Sequence, residues 1–369
     1  MTSLYELISK SAEAGYSILH KRGSMPAGHN GPYQDPETPV RNTSHWLITF
    51  AKAYEITGHE KFLTAVQRTA DYLAQPGHRP GDATFLHRQV ENKDQCNGLI
   101  GQAWTIEALT VAADVLNRPD LYRLAKDVFL LHPFDEQVAL WERVDPDGTK
   151  LSFDRTFNHQ LWFAAAGGLL VNQNDEIGRQ INIFLEQLGS ILQTYESGLI
   201  RHPLDPDMPA SSYVKHPFKY RGLMANRVLD MARPTQRKQS LQKKSVGYHG
   251  FNLYALGMLR EQFPRSDFWQ NPTFKRTLSY VQTDEFREQI AKNDLAYTFN
   301  PVGFEIAFAQ ETFNNTDSDT RKEWVSKQVD RSFDSDSMLM SRNTEDQHTL
   351  SARLYEATRL INYQGVIDI

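Results

Sequence analysis

Two kinds of helix alternate along this chain, and that alternation restricts its fold more than any other feature. One kind is apolar nearly all round and rich in small residues, as in Gly101-Gln102-Ala103-Trp104, Phe163-Ala164-Ala165-Ala166-Gly167-Gly168 and Leu253-Tyr254-Ala255-Leu256-Gly257-Met258. The other is amphipathic, as in Tyr122-Arg123-Leu124-Ala125-Lys126-Asp127-Val128. A helix apolar on every side is one surrounded by other helices. Helical periodicity predicts segments over Leu4–Leu19, Ser44–Ile56, Lys61–Leu73, Leu99–Leu116, Leu121–Leu131 and Gln160–Val171. It continues over Glu176–Tyr195, Gly250–Phe263, Thr273–Ile290, Gly303–Phe313, Arg321–Val329 and Thr349–Ile361. Buried helices alternating with half-exposed ones predict an all-α fold with an inner ring inside an outer ring, an (α/α)6 barrel of six helical hairpins forming one domain over residues 1–369. Stacked helix pairs of an α-solenoid also alternate. Unequal repeat lengths and the lack of a shared consensus favour the closed barrel.

Strand signals are few. Leu140–Val144 and Leu151–Phe153 flank Asp145-Pro146-Asp147-Gly148, a good hairpin turn. Glu196-Ser197-Gly198-Leu199-Ile200 starts a second small element, and both would decorate one rim. From about residue 199 to 245 the rhythm stops: this stretch has ten Lys or Arg, three Asp, five Pro and no long helical pattern. It reads either as a basic lid that attracts an anionic substrate or as a solvated surface loop.

The 40% apolar content supports a sizeable core, and no apolar run reaches the roughly 20 residues of a membrane span. A net charge of −5 argues against general nucleic-acid binding. A lone cysteine, Cys96, and an N-terminus without a secretory pattern lead to the expectation of a cytoplasmic protein. Phosphate-binding glycine motifs, paired C-x-x-C, His-x-x-x-His on a helix and G-x-S-x-G are all missing, so no metal and no cofactor are expected.

Each inner helix opens on polar residues: Arg41 to His45, Asp94 to Asn97 with Gln102 a turn in, Asp154 and Asn158-His159-Gln160, Tyr248-His249 with Asn252, Asn300 and Glu305, and Glu345 to His348. In a ring of antiparallel pairs the inner helices run the same way. Their N-termini would gather His45, His159, His249, His348, Asn97, Asn158, Tyr248 and Arg41 around one cavity, with helix ends that favour anions. Taken singly, Asn42, Asp94 and Asp346 are better read as helix caps. Trp46, Trp104, Trp162, Phe251 and Tyr254 read as core, with one or two available to stack on a sugar ring.

This pattern resembles the six-hairpin glycosidase superfamily, whose A-Y-x-x-T-G-x-x-x-[FY] hairpin is similar to Ala53-Tyr54 through Phe62. Asn158-His159-Gln160-Leu161-Trp162 resembles the N-H-x-x-W element of barrel-type alginate lyases. Tyr248-His249-Gly250-Phe251-Asn252-Leu253-Tyr254-Ala255-Leu256 is similar to elements of those lyases and of glucuronyl C5-epimerases. The resemblance implies that Asn158 and His159 neutralise a uronate carboxylate and that Tyr248 is the acid/base, with His249 beside it. An arginine that those lyases carry before the tyrosine is missing, with Lys243, Lys244 or Arg237 as replacements. The expected activity is proton abstraction at C5 of an acidic glycan, by a lyase or an epimerase. Substrate contacts are expected from Arg41, His45, Asn97, Gln102, Asp154, Trp162, Asn252, Glu305 and His348. Two other readings stand beside it. Hydrolysis of the unsaturated-uronyl type would use a pair among Asp94, Asp154, Glu305, Glu345 and Asp346. A non-catalytic glycan-binding scaffold would need no titrating pair. The expected partner is an acidic oligo- or polysaccharide, with neither nucleic acid nor membrane, and homo-oligomers are left open.

Overall fold

The computed structural model describes residues 2–204, 220–224 and 235–366. In chain order its helices are α1 (Leu4–Arg22), α2 (Pro39–Thr57), α3 (Glu60–Leu73), α4 (Gly98–Leu116), α5 (Pro119–Leu130), α6 (Phe157–Gly168) and α7 (Asp175–Ile191). There follow α8 (Thr235–Gly247), α9 (His249–Gln262), α10 (Pro272–Tyr280), α11 (Asp284–Ala291), α12 (Val302–Thr312), α13 (Ser318–Ser332) and α14 (Gln347–Ala352). A 3₁₀ segment, Arg353–Arg359, continues from α14.

The fold is an (α/α)6 barrel. α2 packs on α4, α4 on α6, α6 on α9, α9 on α12, α12 on the 3₁₀ segment, and that segment back on α2. The inner ring therefore closes on itself. α1, α3, α5, α7 and α13 pack around it. Inner helices are buried along most of their length: every residue of α4 from Gly98 to Thr110 is buried, whereas α5 buries only Leu121, Ala125, Val128 and Phe129. That difference is the apolar-all-round against amphipathic contrast written in the sequence. Residues 98–116 have the length and apolarity of a membrane span, but most of that stretch lies inside the ring.

Small residues allow the close packing. A Cβ on Gly167 would overlap the Phe129 ring, and one on Gly257 would meet Phe308 at 2.7 Å. The predicted hairpin forms as β2 (Leu140–Val144) against β3 (Lys150–Phe153), with β1 (Phe134–Asp135) on the other side. A second pair joins β4 (Phe333–Asp334) to β5 (Leu339–Met340). Thr194 and Ile200 form a single bridge around the Gly198 turn.

Three helices depart from the periodicity. The helix expected over Thr273–Ile290 is two, because Thr283 stops one and caps the next by accepting from the Phe286 amide at 3.2 Å. The last inner helix is a short α-turn followed by a 3₁₀ segment rather than one helix to Ile361. The basic stretch holds helix α8, which the periodicity did not predict because its exposed face is almost wholly polar. The remainder of the expected lid, 205–219 and 225–234, lies outside the described residues.

Candidate active site

The N-terminal ends of the inner helices meet at a cavity of about 330 Å³. Arg41 reaches it from α2, Asn97, Ile100 and Trp104 from α4, and Asn158 and His159 from α6. Lys244 comes from α8, Tyr248 and Phe251 from the start of α9, Asn300 from the turn before α12 and Arg353 from the end of α14. Asn30, Tyr33, Asp35, Arg88, Lys93, Thr156, His202 and Phe299 also line it, from outside the regular helices.

His159 has the best-defined chemical setting. Its Nδ1 lies 2.7 Å from Asp154 Oδ2, and about a quarter of the side chain is exposed. A carboxylate only accepts, so Nδ1 carries a proton, and whenever the imidazole is neutral Nε2 is the nitrogen that holds the lone pair. Asp154 also accepts from the Leu99 amide at 3.1 Å and the Thr156 amide at 3.2 Å. Burial alone would raise its pKa; the His159 partner and these bonds prevail and hold it at about 2. Asn97 and Gly98 both have positive φ, 56° and 62°, as the chain turns into α4. A Cβ on Gly98 would overlap the Asp154 carboxylate and the His159 ring, so glycine is what lets this pair sit there.

Tyr248 donates to the Tyr33 hydroxyl at 3.0 Å, and its ring lies 4.9 Å from that of His202. Burial, then the neighbouring Tyr33, holds the Tyr248 phenol well above its ordinary value. It therefore enters the site as a neutral hydrogen-bond donor, not as a resting phenolate base. His202 is pushed down to about 3, first by burial and then by Lys244 and His159.

Of the five cations among the described lining residues, four are paired with carboxylates. Arg41 pairs with Glu37 at 2.7 Å and lies 4.2 Å over the Trp104 ring. Arg88 pairs with Asp94 at 2.9 Å, Lys93 with Asp35 at 2.6 Å. Arg353 pairs with Glu305 at 3.0 Å and Glu356 at 2.6 Å and also holds Asn300. Glu305 and Glu356 share this one guanidinium in the interior. Burial, then Glu356, pushes the Glu305 pKa well above the usual carboxylate range, against the pull of Arg353.

Of the residues singled out in the sequence, Asn158, His159, Tyr248, Arg41 and Asn97 line the cavity, with Asp154 directly behind His159. Asn158 Oδ1 is buried without a partner among the described residues. The others are placed elsewhere. Successive helical residues point about 100° apart, so with Tyr248 on the cavity His249 turns outward. Its Nδ1 accepts from the Ile200 amide, its Nε2 meets the Thr277 carbonyl, and it is a buried wall residue rather than a catalytic one. His45 is a turn deeper than expected because α2 begins at Pro39, capped by Thr38; its ring stacks on Tyr355 at 4.3 Å. Gln102 holds the Phe85 backbone and Asn252 donates to the Tyr248 carbonyl. Trp162 stacks on Phe251 at 4.5 Å within the core. Glu305 is the interior partner of Arg353, and His348 is exposed on the outside. None of these seven is among the described lining residues of the cavity.

The carboxylates named for hydrolysis are likewise engaged. Asp94 lies between Arg88 and Arg143, Asp346 binds the His29 and Gly31 amides, and Glu345 accepts from Gln34. The loop residues Tyr33, Asp35, Arg88 and Lys93, together with His202 and Arg353, were not legible as site residues. The loop residues precede or leave helices without any periodic or motif signal, and Arg353 lies inside the expected Thr349–Ile361 helix.

No family model matches the chain. Archaeal glycosylation protein Q of Haloferax volcanii is 48% identical over 372 residues, covering 100% of both chains. This chain belongs to the archaeal glycosylation protein Q family. Solved structures that share the barrel of this glycosylation protein Q relative are carbohydrate-active enzymes of the six-hairpin type. A D-mannose isomerase superposes with a TM-score of 0.61 at 15% identity over 97% of each chain. A cellobiose 2-epimerase from Bacillus thermoamylovorans gives 0.62 at 11% identity, over 94% of this chain and 95% of that one. An unsaturated glucuronyl hydrolase specific for heparin gives 0.58 at 10% identity over 96% of each chain.

Proposed function

We propose that this member of the glycosylation protein Q family is an epimerase of an acidic sugar, moving a proton at the carbon beside a uronate carboxylate. The observation that carries the reading is the His159–Asp154 pair, at a cavity whose described lining also holds five cations, the Tyr248 hydroxyl and the Asn97 and Asn158 side chains. In the step proposed, Nε2 of His159 takes the C5 proton. The electron pair of the C–H bond moves onto the carboxylate, which becomes an enediolate. Cations and donors already in place stabilise that added charge, where they act most strongly. A proton returned to the other face, with the Tyr248 hydroxyl as donor, gives the C5 epimer; expulsion of a C4 substituent instead gives elimination. The likeness of Asn158–Trp162 and Tyr248–Leu256 to lyase and epimerase motifs supports the same assignment.

The size of the cavity favours a small acidic sugar, or the end of an oligosaccharide, over the middle of a polymer: about 330 Å³ is at the lower end of small-molecule sites. Hydrolysis has less support, since it requires two carboxylates across a cleft. Among the described lining residues the carboxylate is Asp35, tied to Lys93 by both oxygens at 2.6 and 2.8 Å. A second reading, proton transfer at C2 of a ring-opened sugar, is favoured by the isomerase and 2-epimerase among the structural neighbours.

The test is to incubate the protein with D-glucuronate, D-galacturonate and a methyl glucuronide and follow the sugars by proton NMR. The C5 epimer is the expected product, whereas a ketose or C2 epimer would favour the second reading. Release of methanol without isomerisation would favour hydrolysis and overturn the proposal.

A further inference from the structure

We propose that Lys244 is the residue that selects an anionic sugar, by pairing with the acidic group of the substrate in the cavity. The inference rests on the reading of the cavity as a sugar-isomerising site and adds the determinant of substrate class. Lys244 lines the cavity, is half-buried, and has no carboxylate partner among the described residues. The other lining cations are paired with Glu37, Asp94, Asp35, Glu305 and Glu356. A cation withdrawn from water without a counter-ion is unfavourable, and one uncompensated positive charge calls for one substrate anion. Burial, then Lys93, lowers the Lys244 pKa, the direction expected of an ammonium that lacks a partner.

Its position suits the chemistry. Tyr248 N–H donates to the Lys244 carbonyl at 3.0 Å, so the two residues are one helical turn apart and on one face. Lys244 Nζ lies 5.2 Å from the centre of the Tyr33 ring, whose hydroxyl receives the Tyr248 bond. Lys244, His202 and His159 line the same cavity, with Asp154 bonded behind His159, so the cation and the His159–Asp154 pair border one space. An anion held by Lys244 thus brings its neighbouring carbon toward the proton-transfer groups. Lys243 does not compete for this role, since it pairs with Asp294 on the surface at 2.6 Å.

A sugar carboxylate and a sugar phosphate share this chemistry, and binding of three probes separates them: D-glucuronate, D-glucose 6-phosphate and D-glucose. The wild-type protein is expected to bind one of the two acidic probes about tenfold or more tighter than D-glucose, a difference of about 1.4 kcal/mol. Lys244→Met should remove that preference, bringing the ratio of acidic-probe to D-glucose affinity close to one, while Lys244→Arg should restore most of it. A preference that survives in Lys244→Met, or a wild-type protein that does not discriminate, would overturn the inference. Failure of the isomerase reading is separately visible: turnover that survives His159→Gln would sink that reading, whatever the binding ratios say of Lys244.

Discussion

His159→Gln is expected to lower turnover of the acidic sugar by about 10³-fold, within the usual range for removing a general acid or base, while leaving the protein folded. The side chain is about a quarter exposed, and Asp154 keeps its bonds to the Leu99 and Thr156 amides, so the loss should fall on chemistry and not on stability. Asp154→Asn should lower turnover less, because the imidazole remains but its tautomer is no longer imposed. The double variant should be no worse than His159→Gln alone, since the two groups act as one unit. Steady-state rates with unfolding curves for all three variants check this. Additive losses, or a His159→Gln protein as active as the wild type, would remove His159 from the proton-transfer role.

Arg353→Met is expected to be the most destabilising single change in the inner ring, by about 3–5 kcal/mol, the usual penalty for breaking a buried ion pair. The guanidinium is 2% exposed, and its partners Glu305 and Glu356 are fully buried. Removing it leaves two interior carboxyl groups without a cation and frees the Asn300 side chain that it holds at the cavity. The triple variant Arg353→Met, Glu305→Gln, Glu356→Gln should recover much of the loss, because no charge is then left unpaired. Urea unfolding of the two variants decides it. Equal destabilisation would mean that Arg353 acts through packing on Phe251, over which it lies at 4.9 Å, and not through charge.

The architecture was legible because the two helix classes differ in composition, and burial follows composition. Gly167 and Gly257 mark close approaches that no larger residue permits. The site was only partly legible. Asn158, His159 and Tyr248 begin buried helices, where an uncapped polar run is conspicuous. His249 and His45 share that signature yet face the wall, because rotation about a helix axis and the true position of its first turn decide where a side chain points. The Pro39 start of α2 moved His45 away from the mouth and left Arg41 on it. Arg353 is hidden in a segment whose periodicity looks like that of an ordinary amphipathic helix. Asp35, Arg88 and Lys93 reach the cavity from loops, whose course the sequence pattern does not encode. Among Lys243, Lys244 and Arg237, the structure sets Lys244 apart by placing it on the cavity one helical turn before Tyr248, with no carboxylate partner among the described residues.

The central claim is that this cavity moves a proton on the carbon skeleton of an acidic sugar through His159. Its most direct test is proton NMR of D-glucuronate incubated with the wild-type and His159→Gln proteins in deuterated water. The C5 proton signal is expected to disappear by exchange with the wild-type protein and to persist with His159→Gln. Exchange confined to C2 would move the chemistry to the other carbon. No exchange at any carbon with the wild-type protein, or equal exchange with both proteins, would contradict the account.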